Sequence, residues 1–113
     1  MTLDPLHIDM IQHDAHMTAK RKGWWDEPSE PGTKLMLIVS ELAEALEELR
    51  DGHPLQEIRF GPDGKPEGFT VELADAIIRI GDMCGGHNLP LARAITLKLA
   101  YNETRPYKHG KAL

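Results

Sequence analysis

The sequence predicts an all-α fold: an antiparallel bundle of about four helices, with room for a small β-hairpin within 55–69, assembled as an oligomer. Three observations lead there. Two stretches, 40–50 and 71–77, repeat one pattern on a helical period: acid, Leu, Ala, acid, Ala, apolar. Gly- and Pro-containing breaks at 23–33, 51–69 and 85–90 divide the chain into four segments of helical character. The apolar residues of the two acidic segments cover more than one side of each helix, which calls for burial between several helices or against another subunit.

Asp4 caps the first helix and Pro5 occupies its first turn, so a helix is expected over 5–22, ending at Gly23. His7, His13 and His16 lie along it at phases spread around the helix. That spread favours surface or interface histidines over metal ligands. Residues 23–33 read as a loop carrying Trp24 and Trp25. Two readings stand for these rings: a plug against the next helix, or a wall on which a planar ligand stacks.

The next helix is expected over 33–50, stopping at Asp51 and Gly52. At about 100° per residue, Leu35, Ile38, Leu42, Leu46 and Leu49 form one apolar stripe. Glu41, Glu44 and Glu48 fall together on its flank. Residues 51–69 form a long connection in which 55–60 and 65–69 would flank a Gly61-Pro62-Asp63-Gly64 turn; it reads as a surface loop, a lid or a dimer arm. Thr70 is expected to cap a buried central helix that ends near Gly85 and Gly86. Leu73, Ile77, Ile80 and Cys84 set its core direction, and Glu72, Asp75, Arg79 and Asp82 share its flank.

Two helices with matching phase, packed antiparallel, would bring Glu41 and Glu44 face to face with Glu72 and Asp75. Four converging carboxylates cannot all stay ionised without a cation. An all-oxygen set suits Mg²⁺, or Mn²⁺ in its place. No Glu-x-x-His stands on these helices, against a ferritin-like di-iron site. Cys pairs and His-x₃-His are missing as well, against zinc. The last helix starts at Asn88-Leu89-Pro90 and runs to Asn102 or Glu103. Its stripe turns cationic and amide-bearing at Lys98, Asn102 and Arg105, either to pair with the acidic helices or to clamp phosphates beside a metal.

The 113 residues make one domain, 1–113, with a formal charge of −5. That charge argues against nucleic acid as a partner and fits a site that collects cations. Cys84 is the lone cysteine, and no signal peptide or long apolar run is apparent, so the expectation is a soluble, cytoplasmic protein with no membrane partner.

Taken together, Glu41-x-x-Glu44, Glu72-x-x-Asp75 and Lys98-x₃-Asn102-x₂-Arg105 resemble the MazG-like all-α nucleoside triphosphate pyrophosphohydrolases. The resemblance implies cleavage of a (d)NTP to a nucleoside monophosphate and pyrophosphate. It implies Glu41, Glu44, Glu72 and Asp75 as catalytic Mg²⁺ ligands, Lys98, Asn102 and Arg105 on phosphates and sugar, and Trp24 or Trp25 near the base. It also implies a homodimer or homotetramer. Ser40 departs from the pattern, since many members carry a further acid there, and 51–69 is longer than a minimal family hairpin needs. Two other readings stand beside this one. One is a non-catalytic helical oligomer that binds nucleotide or metal. The other is an HD-type metal phosphohydrolase built on His13 and Asp14, for which no further ligands are placed.

Overall fold

Asp4 closes the first turn of α1 (Pro5–Arg21), its Oδ1 accepting from the Leu6 amide at 2.9 Å, and Pro5 supplies the fixed φ that a helix start favours. The computed structural model describes residues 4–112. α2 (Pro31–Arg50) begins two residues earlier than the sequence suggests, because Pro31 occupies its first turn, where a missing N–H costs nothing. Gly52 in the left-handed region at φ +78° ends it.

The connection that follows holds a hairpin far shorter than its composition predicts: β1 (Arg59–Phe60) pairs antiparallel with β2 (Pro66–Glu67), Arg59 opposite Glu67 and Phe60 opposite Pro66. Gly68 cuts β2 short. Its φ of +141° and the press of Glu57's carbonyl leave no room for a Cβ. α3 (Phe69–Gly86) starts immediately afterwards. Thr70 is therefore not its cap; it lies inside the first turn, and its hydroxyl donates to the Leu55 carbonyl at 2.8 Å, fastening the connection to α3.

α3 is the central helix, packed on α1 along one side and α2 along another. Glu41 faces Asp75 and Arg79 while Lys34 faces Asp82, so α2 and α3 run antiparallel. Gly81 and Gly85 let α1 approach closely; a Cβ at Gly85 would collide with the His16 side chain. α4 (Leu91–Glu103) follows Asn88, at φ +55°, and Pro90. It packs on α1, with Gln12 Nε2 donating to the Leu89 carbonyl. A short 3₁₀ turn (Tyr107–Gly110) closes the described chain. Among the described residues no helix is long and apolar enough to cross a membrane.

The buried apolar residues are small: Ala45, Ala76, Cys84 and Ala92. The reason is a reversal of the expected facing of α2. Lys34, Leu37, Ile38, Glu41, Ala45 and Glu48 are the partly or fully covered residues, so of the expected stripe only Ile38 is covered, whereas Leu35, Leu42, Leu46 and Leu49 lie outside, Leu42 at 48% and Leu49 at 51% exposure. The acidic flank, not the leucine stripe, turns toward α3.

Candidate metal centre

Glu41 from α2 and Glu72 and Asp75 from α3 each present a carboxylate oxygen, the three lying within 4.8 Å of one another, all half-buried. Antiparallel packing in matched phase produces this convergence. Among the described residues it is the only group of metal-ligating side chains so placed. Oxygen donors alone, close enough to share one ion, fit a hard divalent cation.

The electrostatics agree with that fit. Burial, a hydrogen bond shared with Glu41, and the charges of Asp75, Glu41 and Glu44 push Glu72 up from 4.5 to about 7. Asp75 is raised too, by burial and the Glu41 charge, against the opposing pull of Arg79 and Lys65. Carboxylates that resist joint ionisation store repulsion that a cation relieves.

Glu44 is exposed and stands outside the triad, within electrostatic reach of Glu72. Glu48, on the same flank, is committed elsewhere. Arg59 of the hairpin donates to both its oxygens at 2.7 and 2.9 Å and holds its carboxyl below the ordinary range. Ser40, the departure noted above, donates to the Leu37 carbonyl and turns into its own helix.

Beside the triad, α1, α2 and α3 enclose a cleft of about 630 Å³, whose lining includes Glu41, Asp75, Lys22, Lys34, Arg79 and Trp24. Trp24, 68% exposed, forms part of its wall. Trp25 is the plug. Its Nε1 donates to Asp82 Oδ1 at 2.7 Å, its ring meets His16 and His87 edge-on, and Lys34 Nζ lies 4.4 Å from its centroid. Asp82, only 9% exposed, is the hub: its Oδ1 is also 3.0 Å from His16 Nδ1, and Lys34 approaches its Oδ2 at 3.7 Å. His16 is thus a core-facing partner of a carboxylate, while His7 and His13 are exposed.

Lys98, Asn102 and Arg105 are not brought to the triad of their own chain. Lys98 and Asn102 lie on the outer half of α4 and Arg105 just past its end, with Lys98 and Arg105 near the Tyr101 ring and the Asn102 Oδ1 buried without a donor. None of them lines the cleft.

The cations that do, Lys22, Lys34 and Arg79, were not singled out for this role by the sequence. A signal existed for two of them: Lys34 precedes Glu41 by seven residues and Arg79 follows Asp75 by four, spacings that keep side chains nearly in phase. Compared with known proteins, the chain matches no family model, no curated protein and no solved structure.

Proposed function

We propose that the protein is a Mg²⁺-dependent nucleotide pyrophosphohydrolase of the MazG-like kind, cleaving a (d)NTP to (d)NMP and pyrophosphate. The observation that carries this reading is the triad of Glu41, Glu72 and Asp75 opening beside a cleft that combines Trp24 with Lys22, Lys34 and Arg79. Such a cleft offers one wall to a base and several cations to a polyphosphate, in the size range of small-ligand sites.

Glu41, Glu72 and Asp75 are the metal ligands in this reading. When bound, Mg²⁺ supplies charge neutralisation and Lewis acidity toward phosphoryl oxygens. Glu44, left outside the triad, is the carboxylate free to orient an attacking water and take its proton. Trp24 bounds the base, while Trp25 sets the loop that carries it. Lys98, Asn102 and Arg105 reach a phosphate only from a second copy, and the uncovered leucine stripe of α2 supports a homodimer or homotetramer.

A non-catalytic metal- or nucleotide-binding module is the second reading. Ser40, bonded into its own helix, withholds a further carboxylate, and that observation favours it. Pyrophosphate release from a panel of dNTPs and NTPs with Mg²⁺ separates the two. The enzyme reading expects turnover that Glu72→Gln and Asp75→Asn each reduce by about a hundredfold or more with the helical content unchanged. Metal binding without turnover of any nucleotide leaves the module.

A further inference from the structure

Arg79 stands one turn beyond Asp75 on α3, and its Nε donates to Glu41 Oε1 at 2.8 Å. Among the described residues, Glu41 is the only triad member in a salt bridge. The two partners differ in freedom: the Arg79 side chain is 41% exposed, that of Glu41 13%. Only one of the guanidinium's donors is used, and neither Nη makes a hydrogen bond among the described residues, so the flat fork stays available along the cleft that Arg79 lines with Lys22 and Lys34.

A cation entering the triad must compete with Arg79 for Glu41 and is repelled by it at short range. A guanidinium released there has an obvious destination in the phosphates of a nucleotide, which its fork grips in bidentate fashion. We propose that Arg79 exchanges partners: it neutralises Glu41 in the free protein and turns onto the polyphosphate chain when nucleotide and divalent metal enter together. This rests on the metal-site reading above. It makes Arg79 a nucleotide-binding residue and ties metal loading to substrate, since whatever draws Arg79 off Glu41 improves the site for the metal, and the reverse holds by linkage.

Arg79→Gln gives two effects of opposite sign, which a merely structural ion pair would not. Mn²⁺ alone, followed by electron paramagnetic resonance, is expected to bind about threefold to tenfold more tightly than to the unsubstituted protein. An α,β-imido deoxynucleoside triphosphate in saturating Mn²⁺ is expected to bind at least about tenfold more weakly. Both constants moving in the same direction, or analogue affinity unchanged, overturns the exchange. Should Arg79→Gln not fold, Arg79→Lys carries the test. It keeps the charge and loses the fork, so analogue affinity should still fall, and an unchanged value overturns the proposal. A natural protein that binds no Mn²⁺ defeats the metal-site reading itself. If that protein binds Mn²⁺ and releases pyrophosphate while Arg79→Gln alters neither constant, only the exchange is lost.

Discussion

Trp25 Nε1 donates to Asp82 Oδ1 across 2.7 Å, joining the loop after α1 to the C-terminal part of α3 through a carboxylate that is almost fully covered. A hydrogen bond to a buried charge is worth about 1.5–3 kcal/mol, more than most single contacts in a domain of this size. Trp25→Phe keeps the ring and removes the donor. The variant should lose stability in that range in urea denaturation at matched protein concentration. Trp24→Phe, at an exposed position, should change stability by less than about 0.5 kcal/mol.

The pH dependence of the metal-free protein follows from Glu72. Its folded-state affinity for a proton, raised from 4.5 to about 7, exceeds that of the unfolded chain. The resulting contribution to stability is fully present below the unfolded value, shrinks as pH rises through the interval, and is gone above the folded value. Asp75, also raised, acts in the same sense. The melting midpoint should therefore fall between about pH 5 and pH 7.5, and fall less in Glu72→Gln. Millimolar Mg²⁺ should raise the midpoint more at the alkaline end, because the metal and the proton compete for the same oxygens. A midpoint climbing with pH would contradict the raised proton affinity of Glu72.

Leu42 and Leu46 project from the uncovered side of α2, away from α3. Leu42→Glu and Leu46→Glu remove little buried surface from a single chain and place charge on the face that an oligomer would cover. Light scattering should register a drop in mass for the double variant while its circular dichroism stays helical. Unaltered mass would remove this face of α2 from any assembly.

Two glycines in the last turn of α3 have steep requirements. A Cβ on Gly86 would run into the Trp25 indole, and one on Gly85 into His16. Gly86→Ala should cost about 1–3 kcal/mol through forced repacking. Gly32→Ala, in α2 with nothing near its would-be Cβ, should be neutral or raise stability by up to about 1 kcal/mol. Thermal melts of the pair read the contrast directly.

Helical phase alone put Glu41, Glu72 and Asp75 on facing flanks, because a step of about 100° per residue is local and nearly invariant. Phase does not say which side of a helix turns inward. The leucine stripe of α2 read as its core face, yet of that stripe only Ile38 is partly covered and Glu41, Ala45 and Glu48 turn inward instead, an outcome set by how α3 packs rather than by α2 itself. The same limit applies to α4: its cationic residues were legible, but its docking on α1, away from the triad, depends on contacts far apart in sequence, such as Gln12 with Leu89. Asp82 escaped notice as a hub because its partners, His16, Trp25 and Lys34, come from three separate parts of the chain. The hairpin was overestimated since turn composition reports where a chain reverses, whereas Gly68 decides how soon the strand ends.

Gly68 touches the Glu57 carbonyl so closely that no side chain fits between them, and α3 begins at the very next residue. Glu72 follows four positions later. The depth at which that acid meets Glu41 is therefore anchored by a residue with no functional group of its own. Any larger residue at 68 would push the start of α3 away from the connecting segment and shift Glu72 and Asp75 along with it. Loss of ion binding from a change so chemically silent would look like a defect in the ligands, although every ligand would still be present.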